Sequence, residues 1–386
     1  MYRRSDRGLL ADWWWTVDRW FLLAFGLLMG FGMMLSFAAS PNVAERIGLD
    51  TFHFVERHAF FLLPAIAVML VLSFLDDRQT RRVALAILCA SLVLLMVTLF
   101  FGVEVKGSKR WVRIAGISVQ PSEFLKPSFV ILCAWLFAEH AKRPDIPGNL
   151  FAGILFAIAG SLLVAQPDLG QTVLLAGTWG AMFFLAGMNW LWIGVLGGVG
   201  AIGLVGAYLT MPHVAGRIDR FISGQGDTFQ VDTGREAIVR GGWFGQGPGE
   251  GTVKRILPDS HTDFVFAVLG EEYGIVACMI LVAVFGFIVL RGLMKGAGEK
   301  DQFRRLAVCG LAVMIGLQSM INIMVNLNLL PAKGMTLPFV SYGGSSMIAV
   351  AISAGFLLSL TRRRAEQRSR HTRFDMPGKR VPLPAE

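Results

Sequence analysis

Apolar runs recur along this chain at the length a bilayer demands. A helix needs about 20 apolar residues to cross the hydrocarbon layer. Such runs stand at residues 20–39, 59–75, 84–101, 122–139, 149–165, 172–187, 190–210, 264–290, 306–326 and 338–360. Only Gly187, Met188 and Asn189 separate the sixth from the seventh. The first run ends in Phe37-Ala38-Ala39-Ser40, which looks like a cleavage site. It exceeds the about 7–15 residues of a signal-peptide core, so it reads as an uncleaved first span. The pattern predicts an all-α polytopic membrane protein of about ten transmembrane helices over 20–360. Residues 1–19 precede this domain and 361–386 follow it. Residues 363–386 mix Arg, Pro and polar side chains without apolar periodicity, as a disordered tail does.

Composition agrees: 54% of the 386 residues are hydrophobic and 16% charged, against about a quarter charged in a soluble domain. The net charge of +9 falls in short clusters between apolar runs and in the tail. That distribution suits anionic lipid headgroups and, with no basic aromatic platform, excludes a nucleic-acid partner. An even number of spans puts both termini on one side. The segments on that side (1–19, 76–83, 140–148, 187–189, 291–305 and 361–386) carry well over half of the 36 Lys and Arg. The positive-inside rule makes that side cytoplasmic. Trp13, Trp14, Trp15 and Trp20 then form an interfacial belt ahead of the first span. Residues 211–262 become an extracytoplasmic loop between helices 7 and 8, too long for a plain connector. Cys89, Cys133, Cys278 and Cys309 lie apart in apolar segments, with neither disulfide nor metal spacing.

The unusual chemistry collects in the non-cytoplasmic segments. Lys109, Arg110 and Trp111 precede Gln120-Pro121-Ser122-Glu123, and Pro121 suits a helix start. Glu123 and Lys126 then share a helical face at the membrane edge, as a structural ion pair or as a cavity wall. In the second case Lys109, Arg110 and Lys126 are available to a phosphate-bearing ligand. Asp168, after Pro167, is placed to cap the next helix. Six glycines in 241–251 let backbone approach a ligand or another segment closely, but lack the spacing of a nucleotide site. Asp263 follows His261 at the mouth of the eighth span, as a helix cap or as a general base. Glu271 and Glu272 lie two turns deeper and call for cations from a neighbouring helix. Asn322 and Asn326 share a face and can bond across helices. Lys333 is the cation of the next loop, and Ser341-Tyr342-Gly343-Gly344-Ser345-Ser346 opens the last span.

Five blocks in order resemble the SEDS family of membrane glycosyltransferases. They are Lys109-Arg110-Trp111; Gln120 to Glu123 with Lys126; Gln166 to Gly170; His261 to Phe264 with Glu271-Glu272; and Ser341 to Ser346. Pro331-Ala332-Lys333-Gly334 with Thr336-Leu337-Pro338 looks like the family's cell-division branch rather than its elongation branch. The resemblance implies a peptidoglycan glycosyltransferase in the bacterial inner membrane, with Asp263 as the essential carboxylate. Lys109, Arg110, Glu123, Lys126, His261, Lys333 and Ser341 would serve the substrate and its pyrophosphate. It implies lipid II as substrate and a class B penicillin-binding protein transpeptidase, with other division membrane proteins, as partners. It implies no certain cofactor and leaves room for a divalent cation such as Mg2+ or Mn2+. Two rivals are a lipid II flippase and a non-catalytic division scaffold. A transporter calls for midplane ionisable groups on several helices or an internal repeat, and neither pattern stands out.

Overall fold

The computed structural model describes residues 8–105, 108–114, 116–223, 228–331 and 334–362. Ten apolar helices fall where the hydrophobic runs predict them. They are α2 (Arg19–Arg46), α3 (His53–Ser73), α4 (Asp77–Phe101), α5 (Pro121–Lys142), α6 (Gly148–Ala165), α7 (Leu169–Leu185), α8 (Trp190–Thr210), α11 (Val265–Ala297), α12 (Gln302–Asn326) and α13 (Gly344–Leu360). Eight are long and apolar enough to cross a membrane, and α7 and α13 are shorter apolar helices. The chain is a multi-pass membrane protein. A short helix, α1 (Leu9–Thr16), carries Trp13, Trp14 and Trp15 beside the start of α2. Asp18 caps α2 through the amides of Trp20 and Phe21. Arg362, just past α13, bonds Thr16, so both ends of the helical set lie on one face, here the tail face.

Residues facing protein on all sides make α5 and α12 the inner helices, each with 67% of its spanning window buried, against 6% for α8. Phe129 and Phe137 of α5 are fully buried, as are Phe21 and Phe25 of α2 and Phe356 of α13. Without a hydrophobic drive between helices in lipid, close backbone contact replaces it. Gly292 and Gly296 of α11 lie directly against Ala312 and Cys309 of α12, leaving no room for a Cβ.

The opposite face holds the structured connections. Between α4 and α5 the chain makes a small antiparallel sheet, β1 (Val103–Val105), β2 (Ser108–Ile114) and β3 (Ile117–Val119), in the order β1-β2-β3. The 211–262 connection is not a structureless loop. It contains α9 (Pro212–Ser223), α10 (Phe229–Gly241) and a 3-10 turn at Val253–Arg255. Their polar composition hid them from a reading keyed to apolar runs.

The glycine-rich stretch after α10 meets another segment rather than a ligand. α11 is broken at Gly274, whose φ of 77° interrupts the helix. Into that gap the amides of Gln246 and Gly247 donate to the carbonyls of Glu271 (2.9 Å) and Glu272 (3.1 Å). The carbonyls of Gly242 and Trp243 accept from Ile275 (2.9 Å) and Val276 (3.2 Å). The 241–251 backbone thus supplies the hydrogen bonds that the break removes.

Candidate active site

Three connections, α4–α5, α8–α11 and α12–α13, line a cavity of about 1080 Å³ with the first turns of α3, α5 and α13, on the face opposite the tail. Asp263 stands in its wall at the end of a tight turn. Asp259 adopts φ 54°, and its carbonyl accepts from the amides of Thr262 (3.1 Å), Asp263 (3.1 Å) and Phe264 (3.3 Å). The turn is then clamped from two sides. The side-chain amides of Asn322 and Asn326 donate to the Asp263 carbonyl at 3.0 and 2.9 Å, and Asn326 also accepts from the Ala267 amide at 3.1 Å. Ser341 donates to the Thr262 carbonyl at 2.5 Å, and Tyr342 donates its amide to the His261 carbonyl at 2.9 Å. The bonds predicted across helices by the Asn322–Asn326 spacing are therefore made to the Asp263 turn itself. A Cβ on Gly334 would sit 3.1 Å from Asp263 Oδ2, so the backbone at Gly334 passes close beside the carboxylate.

Below this turn lies a buried polar network. Lys126 donates to Glu123 and to Gln318, both at 2.9 Å, and Gln171 donates to the other Glu123 oxygen at 2.6 Å. Gln318 in turn donates to the Thr336 carbonyl at 3.0 Å. Both members of the Glu123–Lys126 pair are 3% exposed, so each charge depends on the other. Glu123 reaches the cavity wall and Lys126 does not. The ammonium joins α5 to α12, and Glu123 extends the network to α7.

Arg110 projects from β2 into the wall. It donates to the carbonyls of Gln166 (3.3 Å) and Pro167 and lies 3.6 Å from Asp168. Asp168 caps α7 through the Gln171 amide, as its position after Pro167 predicts. Burial pushes its carboxyl above the usual range, with Arg110 opposing.

Other predicted site residues lie elsewhere. Lys109 is exposed on β2, opposite Glu104 of β1, outside the cavity wall. Ser341 is buried beneath the Asp263 turn and also accepts from the Leu337 amide at 2.8 Å. His261 packs in a three-ring cluster with Phe54 and Tyr342, tilted to both, with ring centroids at 4.5 and 5.5 Å. Its imidazole is held down at about 4, chiefly by burial, with Arg46 adding to that and Asp259 opposing. Lys333 lies outside the described residues. Glu271 accepts from the amides of Val253 (2.7 Å) and Lys254 (2.8 Å), and Glu272 pairs with Lys254. The partners of this acidic pair thus come from the long connection, not from a neighbouring spanning helix.

Three arginines in the wall escaped the sequence reading: Arg57 on α3, and Arg217 and Arg220 on α9. The α9 pair had a signal. Val214, Ile218 and Phe221 recur at helical spacing around them, marking an amphipathic helix inside the long connection.

The helices and this cavity define a polytopic membrane protein with a charged cavity at one end of its helix bundle. The family described as "Cell cycle protein", comprising FtsW, RodA and SpoVE, matches residues 18–366, and the chain belongs to it. A relative from Caulobacter vibrioides named "Probable peptidoglycan glycosyltransferase FtsW" is 47% identical over 365 residues, 94% of either chain. One of the same name from Halothiobacillus neapolitanus is 37% identical over 342 residues, 83% of this chain and 80% of that one. The rod shape determining protein RodA of Thermus thermophilus has a similar fold, with a TM-score of 0.67 and 25% identity, covering 90% of this chain and 97% of that one. So does a chain solved in work on polymerization and crosslinking by a peptidoglycan synthase complex, with a TM-score of 0.73, 24% identity, and 89% and 97% coverage. The family named from the five sequence blocks is the one found, and these two relatives carry the name of its division branch.

Proposed function

We infer that this chain is a peptidoglycan glycosyltransferase that polymerises lipid II into glycan strands for the septal wall of dividing cells. The observation that carries this reading is Asp263, fixed by its backbone in a charged cavity at one membrane face, in a chain of this family. The Asp263 carboxylate takes the proton from an acceptor sugar hydroxyl, and that oxygen attacks the anomeric carbon of the donor. The new glycosidic bond forms as the bond to the polyprenyl pyrophosphate breaks, and the leaving pyrophosphate keeps the electron pair. Arg110 offsets the growing negative charge on it.

The carboxylates of Glu123, Asp232, Asp259 and Asp263 all line the cavity. Among the described residues, however, no three His, Cys, Asp or Glu side chains converge on a point that would hold a metal ion. The cavity face lies outside the bacterial cytoplasmic membrane and both termini lie inside, in keeping with the distribution of Lys and Arg. The strand made here is cross-linked by a class B penicillin-binding protein, working with other division membrane proteins.

The test is glycan formation from labelled lipid II by the purified chain with its cognate transpeptidase. Native protein is expected to give polymer, and Asp263→Asn, folded normally, at least about a hundredfold less. Equal polymer from both would remove Asp263 from the reaction. No polymer from either, with lipid II moving across vesicles, would favour the flippase.

A further inference from the structure

The cavity wall brings together three arginines from two elements, Arg110 of β2 and Arg217 and Arg220 of α9. Positions three apart on a helix face the same way, so the two α9 guanidinium groups point as a pair. Arg110 is already committed to the Gln166 and Pro167 carbonyls and to Asp168. Among the described residues Arg217 and Arg220 enter no ion pair, and Arg220 donates only to its own helix, at Gly216 (2.7 Å). Arg217 is half-buried, and burial together with the like charges of Arg110 and Arg220 holds its guanidinium below the ordinary value. Asp168 is the one carboxylate that opposes this, and Arg110 already faces it. Glu123, Asp232, Asp259 and Asp263 line the same cavity.

Gathering like charges in a half-dry wall costs free energy that an anion spanning them returns. The guanidinium fork fits phosphate oxygens in pairs, so several arginines suit a polyphosphate better than one carboxylate. The apolar side chains of Phe60, Phe61 and Phe221 line the cavity as well, as an isoprenoid next to a phosphate requires. We propose that Arg217 and Arg220, together with Arg110, bind the pyrophosphate of the polyprenyl-linked substrate. Helix α9 thus grips the leaving group, which Lys126 cannot do from inside its buried network. This assignment rests on the polymerase reading of the cavity.

The test measures binding of undecaprenyl pyrophosphate and of undecaprenol to the purified full chain, alongside its melting temperature. Arg217→Ala/Arg220→Ala is expected to weaken pyrophosphate-lipid binding at least about tenfold while undecaprenol binding stays level. Arg220→Glu, at an exposed position where folding is safe, is expected to weaken it further than Arg220→Ala. Arg240→Ala, outside the cavity wall, is expected to bind as the native chain does. Native binding in Arg220→Glu or in a folded double variant overturns the assignment, and polymerisation by that variant leaves the polymerase reading in place. Arginine-dependent binding by a native chain that makes no glycan overturns the polymerase reading and leaves the site.

Discussion

Asp263 owes its position to its main chain. Two asparagine amides on one face of α12 hold its carbonyl, and Asn326 also takes the Ala267 amide at the start of α11. Removing one partner from a buried hydrogen bond costs about 1–3 kcal/mol. Asn326→Ala is expected to lose that much stability and, separately, to lower turnover well beyond the loss of folded protein. A calorimetric melt alongside a lipid II assay tests this, and full turnover from the folded fraction would refute the positioning role. At His261 the folded value of about 4 lies below the unfolded value of about 6.5. The unfolded chain binds more protons between these limits, so stability is complete above about pH 6.5 and falls as pH drops towards 4. His261→Gln should lessen the fall of the melting temperature over that window; an unchanged acid limb would place the titrating group elsewhere. Asp263, Arg110 and the asparagine pair were legible as residues in a pattern. The confinement of Lys126, Ser341 and His261 outside the wall was not, because a sequence lists donors without showing which acceptors saturate them.

Among the elements, α11 and the long connection depend on each other. The break at Gly274 would be unstable in lipid without the 241–251 backbone, and that backbone has no regular structure apart from the break. Gly274→Ala places a Cβ at φ 77° and against the Trp243 carbonyl, so it is expected to undock residues 242–252. Limited proteolysis would then cut there, where the native chain resists. Beside this joint Lys254 pairs with Glu272 and donates to the Ala38 carbonyl at 2.9 Å. Lys254→Met leaves a buried carboxylate alone and should cost about 3–5 kcal/mol, whereas Lys254→Met/Glu272→Met should recover most of it. Thermal melts of the two variants decide between a stabilising pair and mere mutual dependence. The sequence marked the glycines as sites of close approach and left open what approaches. The tertiary fold brings a helix whose own ladder is interrupted.

At the scale of the whole molecule, ten apolar helices carry the charged cavity at one end and the joined α1 and α13 ends at the other. A membrane-impermeant maleimide applied to intact spheroplasts should label Asp50→Cys, exposed in the α2–α3 connection on the cavity side, and spare Asp145→Cys in the α5–α6 connection. The reverse pattern would invert the orientation. Span number, span positions and the class of protein were determined by the sequence alone, because the cost of burying peptide groups in hydrocarbon acts on each segment by itself. The five motif blocks likewise identified the family before any fold was known. Only the tertiary structure decided which charges reach the cavity, because burial and partnership are properties of several segments at once. Lys126 and Arg217 look alike as cations near a membrane edge. One is paired with Glu123 and hydrogen-bonded to Gln318 from α12, while the other is carried on α9 into the cavity wall beside Arg110 and Arg220.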